Sequence, residues 1–205
     1  MLNTNFRKIA SRRAFAIVET MIALSVITVG LYALLTLVNQ SLAINRFIAD
    51  DFTATYLASE GIEVVKNLID YNTNNASDRN RQFPGAEQCG FLGSTGVPTG
   101  NCFEVRDGCY ELTYDSDRND LLQLSGAGCN AEALLAQQNS PVHFLDFDGN
   151  FYGYNGGMPT SFRRVVRIFI VSPIEVQVDS VVQWRGRGGE TPMVNLEAHF
   201  VDWKS

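Results

Sequence analysis

The chain has 205 residues, 45% hydrophobic and 19% charged, with a formal net charge of −6. That is long enough for one folded domain plus an attached segment. Four basic residues, Arg7, Lys8, Arg12 and Arg13, fall in the first fourteen positions with no acid among them, so the remainder carries −10. A surface of that sign argues against bulk electrostatic binding of nucleic acid.

Residues 1–14, MLNTNFRKIASRRA, read as a basic leader. Apolar residues then run almost unbroken from Phe15, and Thr20 to Asn45 is a stretch of 26 uncharged residues. About 20 suffice to cross a bilayer as helix. A cleaved secretory signal has an apolar core of only about 7–15 residues. The run is too long for one, although Ser41-Leu42-Ala43 has the composition of a signal-peptidase site. By the positive-inside rule the leader stays in the cytoplasm and everything after Arg46 lies outside.

One residue conflicts with this picture. Glu19 sits inside the apolar run, where an ionised carboxylate costs roughly 2.5–3.5 kcal/mol on insertion scales. An intramembrane acid is a functional candidate by default. The plainer reading places Glu19 at the membrane interface, where the dipole of a helix start favours an acid.

Between Phe15 and Pro84 there is no proline, and the only glycines are Gly30 and Gly61. After Asn45 the pattern becomes amphipathic. Phe47, Ile48, Phe52, Leu57, Ile62, Val65, Leu68 and Ile69 recur mostly at three- and four-residue spacings, with acids and Lys66 between them. One helix is therefore predicted from about Phe15 to Asp70, ~80 Å long at 1.5 Å per residue. Its first half is apolar all round, and its second half has one face that needs a cover.

Residues 71–100, rich in Asn, Gly, Ser and Pro, are predicted as irregular loop. Two hairpins are expected next: Cys102–Arg106 with Cys109–Tyr114 around Asp107-Gly108, and Val142–Phe147 with Phe151–Tyr154 around residues 148–150. Ala131–Gln138 is a candidate short helix. In Ile174–Trp184 the even positions are Ile, Val, Val, Ser, Val and Trp, and the odd ones mostly Glu, Gln and Asp. This alternation predicts a strand with one buried and one wet face. The chain turns at Arg185-Gly-Arg-Gly-Gly and returns as Val194–Trp203, with Leu196, Ala198 and Phe200 facing in. The predicted class is α+β, a long N-terminal helix packed on a C-terminal antiparallel sheet.

Cys89, Cys102, Cys109 and Cys129 all lie in the exported part and are even in number, as expected for disulfides in an oxidising compartment. Their spacings contain no C-x₂₋₄-C pair, which argues against zinc. Three pairings are open, of which Cys89–Cys102 with Cys109–Cys129 is the simplest.

A short basic leader, a small residue, Phe15, a glutamate at the fifth position after the cut and an apolar helix together resemble the class III signal of type IV pilins and pseudopilins. The tract Phe15-Ala-Ile-Val-Glu-Thr-Met-Ile-Ala-Leu, with Gly30-Leu31 beyond it, is most similar to minor pilins and minor pseudopilins with a Glu-Thr-(Leu/Met)-(Ile/Val)-Ala-Leu signal. SFRRVVRIFIV, VQWRGRGGE and VNLEAHFVDW resemble the last strands of that subgroup. The resemblance covers roughly the first 30 and last 45 residues. Two positions depart from the family pattern: Ala14 stands where glycine is usual, and Thr36 where many major pilins have proline.

The resemblance implies a mechanism. Prepilin peptidase cuts between Ala14 and Phe15 on the cytoplasmic side and methylates the new amine. The subunit waits in the inner membrane by its helix and is drawn into a growing filament, a type IV pilus or a secretion pseudopilus. Inside it Glu19 pairs with the Phe15 ammonium of a neighbouring subunit. The implied divisions are a leader over 1–14, a transmembrane and assembly segment over 15–45, an amphipathic half-helix over 46–71 and a disulfide-containing head over 72–205. The other pilin or pseudopilin subunits are the implied partners.

No catalytic site is expected. His143 and His199 are the only histidines, and neither neighbours a nucleophile motif or a metal-ligand pair. No cofactor is expected either, and calcium is the one metal with any pattern behind it. Asp115, Asp117, Asn119 and Asp120 alternate as a calcium loop begins, but without its sixth-position glycine or twelfth-position glutamate. Asp146-Phe-Asp148-Gly-Asn150 reads better as a hairpin turn. Arg163, Arg164, Arg167, Arg185 and Arg187 are expected to be solvent-facing strand residues rather than a DNA-contacting patch. The competing function is a single-pass anchored adhesin or binding module that never polymerises.

Overall fold

The computed structural model describes residues 4–77, 89–94, 102–116, 121–154, 156–186 and 188–203, with side chains over 17–73, 90–93 and the later ranges. It divides into two compact units, Met1–Ala49 and Asp50–Ser205. The described residues of the first unit are entirely helical and belong to α1, which runs Thr4–Ser77. The helix was expected to begin near Phe15. Its earlier start follows from a leader without proline or glycine, whose Arg, Lys and Ala extend a helix without a new nucleation cost.

The second unit packs residues 50–77 of α1 against a seven-stranded antiparallel sheet. The strands are β3 (Gly108–Glu111), β4 (Leu122–Ser125), β5 (Phe144–Phe147), β6 (Tyr152–Gly153), β7 (Met158–Ser172), β8 (Glu175–Trp184) and β9 (Met193–Val201), with helix α2 (Ala131–Ala136) between β4 and β5. Two short strands, β1 (Cys89–Gly90) and β2 (Gly93–Ser94), form a separate hairpin. β7 is the spine. One edge pairs along its length with β8, from Phe162↔Trp184 to Ser172↔Glu175. Its other edge is shared, β5 lying beside Met158–Arg163 and β3 beside Val166–Ile168.

Of the predicted apolar stripe of α1, Leu57, Ile62, Val65, Leu68 and Ile69 meet this sheet, whereas Phe47, Ile48 and Phe52 are exposed. Ala54, Leu57 and Ala58 pack with Leu145, Phe162, Val182 and Trp184, and Val64, Val65, Leu68 and Ile69 pack with Val166, Ile168, Val176 and Val178. Burying each large aliphatic side chain contributes about 1.5–3 kcal/mol. Gly61 allows the close approach, since a Cβ there would lie 2.6 Å from Ser180 Oγ and 2.9 Å from Val166 Cγ2.

Several expectations need correction. α1 ends at Ser77 rather than Asp70, because Asn72 continues the stripe as a buried polar residue. Its Nδ2 donates to Phe103 O at 2.7 Å and its Oδ1 accepts from Phe103 N at 2.9 Å. The predicted loop over 71–100 thus contains the last helical turns and the β1–β2 hairpin.

The hairpin expected around Asp107-Gly108 does not form either. β3 pairs with β4 and β7, and residues 103–106 are not strand. Their backbone is held by Asn72 and by Val105 N donating to Leu92 O at 3.0 Å, while Asp107 Oδ1 accepts from Ile170 N at 2.6 Å. The β5–β6 hairpin forms as expected, with Asp148 Oδ1 accepting from Asn150 N at 2.8 Å and Phe151 N at 2.7 Å. Those two donors hold the Asp148 carboxyl below the usual carboxylate range.

The second face of β8 is not wet. From Val178 to Trp184 every residue is buried, because α2 lays Ala131 and Leu135 over Val165 and Val181. α2 starts where Asn130 Oδ1 accepts from Ala133 N at 2.9 Å, which is N-capping by a preferred residue. On β9 the expected alternation is present, but its inner residues are only half-buried because β9 is an edge strand paired with β8 alone.

Candidate membrane-spanning and assembly segment

Every residue from 17 to 49 is exposed. Leu24, Tyr32 and Leu35 each leave more than 60% of their surface uncovered. The described part of the helix, Ile17–Thr73, is long and apolar enough to cross a membrane, and none of its most apolar window is buried inside the protein. This is compatible with single-pass anchoring by one N-terminal helix.

A bilayer tolerates backbone only if its polar groups are satisfied internally, and the same holds for hydroxyls. Thr20 Oγ1 donates to Ile17 O at 2.8 Å, Ser25 Oγ to Ile22 O at 2.8 Å, Thr28 Oγ1 to Ser25 O at 2.9 Å and Thr36 Oγ1 to Tyr32 O at 2.8 Å. These four hydroxyls are therefore folded back onto their own helix. Glu19 differs. Its side chain is exposed and has no hydrogen bond or ion pair among the described residues. The side chains of Ala14 and Phe15 lie outside the described residues.

In the head, Cys109 on β3 is bonded to Cys129, which precedes α2, with a Cα–Cα distance of 6.0 Å. The bridge ties β3 to the helix that covers the outer face of β7 and β8, and Cys109 is part of that core. Cys102 is also disulfide-bonded, and no described cysteine is free. The side chain of its expected partner, Cys89, lies outside the described residues.

Of the calcium candidates, Asp117, Asn119 and Asp120 lie outside the described residues. Asp115 Oδ1 accepts from Thr113 Oγ1 at 2.6 Å, and no described group of three His, Cys, Asp or Glu side chains is placed to hold a metal. Asp115 borders a cleft of about 630 Å³ together with Glu111, His143, Asp146 and Tyr154. Glu111 is buried, and its Oε2 lies 2.9 Å from His143 Nδ1. Burial pushes the Tyr154 phenol above its ordinary range. On the outer face of β9, His199 lies between Glu175 (2.8 Å from Nδ1) and Glu197 (3.0 Å from Nε2).

The arginines do not form one solvent-facing set. Arg164 is fully buried on the α1 face of β7, where Nη1 donates to Leu57 O at 2.8 Å and to Glu60 Oε1 at 3.1 Å, and Nη2 to Leu112 O at 2.6 Å. Its alternation with Phe162, Val166 and Ile168 was the available signal for that position. Arg163 and Arg167 point to the opposite face. Arg163 lies over the Phe144 ring at 4.0 Å, and Arg167 pairs with Asp179 at 3.1 Å. Arg185 is exposed, and Arg187 lies outside the described residues. Comparison of the chain with family models, curated proteins and solved structures returns no match.

Proposed function

We propose that this protein is a non-catalytic structural subunit of the type IV pilin and pseudopilin class, of the minor kind. It is anchored in the inner membrane with its N-terminus in the cytoplasm and its head outside. Prepilin peptidase removes residues 1–14 and methylates Phe15, and the mature subunit joins a pilus or pseudopilus through residues 15–45.

The observation that carries this reading is Glu19. It is an acid with no partner among the described residues, in an exposed apolar helix where Thr20, Ser25, Thr28 and Thr36 bond internally. A lone carboxylate is unfavourable where helices pack together without water. The amine released four residues upstream of it, on a neighbouring subunit, supplies the missing charge.

Two measurements test the proposal. The mass of membrane-extracted protein should correspond to loss of residues 1–14 plus one methyl group, and an intact leader refutes processing. Glu19→Gln keeps the size and removes the charge. It should insert and be cleaved normally, yet be depleted from sheared filaments relative to the membrane pool. Breaking a buried ion pair costs roughly 3–5 kcal/mol, more than a hundredfold in incorporation. Undiminished incorporation returns Glu19 to the role of an interfacial acid at a helix start.

A further inference from the structure

Among the described head residues, Arg106, Arg164 and Arg167 each have a carboxylate partner, Glu104, Glu60 and Asp179 respectively. Arg163 and Arg185 have none, although the protein is acidic overall. Both line the same cavity of about 260 Å³, at the end of β8 beyond the C-terminus of α2, and no described carboxylate borders it.

The sheet register explains the convergence. Arg163 on β7 is paired with Gln183 on β8 and with Phe144 on β5, so these three side chains share one row on one face. Two residues along each strand, Ser161 and Arg185 form the next row, and Thr191 arrives from the turn that follows. Gln183 is 94% buried and lines the cavity, and its amide makes no hydrogen bond among the described residues but is not sealed from solvent. Arg163 Nε is sealed from solvent without a partner among the described residues. A buried guanidinium nitrogen left unsatisfied is costly unless something occupies the space beside it.

We infer that this cavity binds a carboxylate carried on a small neutral body, no larger than a monosaccharide. Two guanidinium forks, an amide and two hydroxyls present donors to one space, and the planar fork of arginine matches a carboxylate. The volume lies below the usual range for larger organic ligands, about 300–1,000 Å³. A single negative charge is favoured over a dianion because the surrounding head is acidic, and its long-range field opposes each added negative charge. Phe144 has Arg163 against its ring and gives the neutral body an apolar wall.

Isothermal titration calorimetry of the full-length protein in nonionic micelles reads binding at the cavity. Titration with sodium glucuronate should give a saturable change. Glucose should give none, and sodium sulfate at matched ionic strength should bind at least tenfold more weakly. Arg163→Gln and Arg185→Gln should each weaken glucuronate at least tenfold, the loss of one charge-assisted hydrogen bond. Arg163→Lys, which keeps charge but not the fork, should remain weakened. Arg185 is exposed, so its variant tests binding without threatening the fold. Equal binding of glucose or of sulfate, variants that bind like the parent, or no saturation by about 50 mM would each overturn the assignment.

Discussion

Replacing Gly61 by alanine sets two magnitudes of opposite sign against each other. In a helix interior alanine is favoured over glycine by about 1 kcal/mol, so an uncovered Gly61 would gain stability. At the α1–sheet contact the new Cβ would stand 2.6 Å from Ser180 Oγ, 2.9 Å from Val166 Cγ2 and 3.3 Å from Arg164 Cδ. All three neighbours are fully buried, and Arg164 is held by hydrogen bonds to Leu57 and Leu112, so none can swing aside. Overpacking a site of this kind costs about 1–3 kcal/mol, and two overlaps below 3 Å place Gly61→Ala at the upper end.

The net expectation is a loss of about 2 kcal/mol, or roughly 4–8 °C in Tm for a head of this size. Near-UV circular dichroism of the full chain in micelles reads it. Ser180→Ala provides the control. The Ser180 hydroxyl is buried without a hydrogen bond, so removing it should be neutral or stabilising by up to about 1 kcal/mol. In the double variant it should recover at least half of the loss. A higher Tm for Gly61→Ala, or strictly additive effects of the two substitutions, would refute the close approach of α1 to β7 and β8.

Arg164→Met should cost about 3 kcal/mol, read from the denaturation midpoint, because it removes two hydrogen bonds to carbonyls and leaves Glu60 unpaired. A cost under about 1 kcal/mol would mean that the guanidinium does not cross-link helix and sheet. Cys109→Ser with Cys129→Ser opens a cross-link of sequence separation 20 and should lower stability by about 3 kcal/mol under oxidising conditions, with no difference once both forms are reduced. His199 has its pKa raised, first by the hydrogen bond it donates to Glu175 and then by the one it donates to Glu197. Its contribution is therefore complete below the unfolded value near 6.5 and is lost as pH rises through the higher folded value. Tm should fall across that window, and His199→Gln should remove that component of the fall.

Much of the fold is legible locally. The uncharged run and the absence of proline mark α1, the three- and four-residue spacing marks its sheet-facing stripe from Leu57 onward but not at Phe47, Ile48 and Phe52, which are exposed, and the Asp-Gly-Asn turn marks the β5–β6 hairpin. The alternation in β8 correctly identifies the face that meets α1. Its other face is buried, not wet, because burial there comes from α2, which ends 39 residues before β8 begins and contacts Val165 and Val181 only after the chain has folded. The candidate site divides in the same way. Glu19 stands out in one dimension, whereas the Arg163–Gln183–Arg185 cavity is invisible there, since only the β7–β8 register brings those side chains together.

Periodicity and charge, which depend on neighbours within a turn or a strand, were thus determined by the amino-acid sequence alone: a helix able to cross a membrane, an acid within it, and an oxidisable head of opposite character to its leader. Tertiary structure decided which polar residues lose water. Asn72 extends the helix because the backbone of Phe103 meets both ends of its amide. Arg164 is buried rather than solvated because Leu57, Glu60 and Leu112 converge on it. The physical reason is that the cost of desolvating a polar group is met only by partners distant in sequence, and no local pattern specifies those partners.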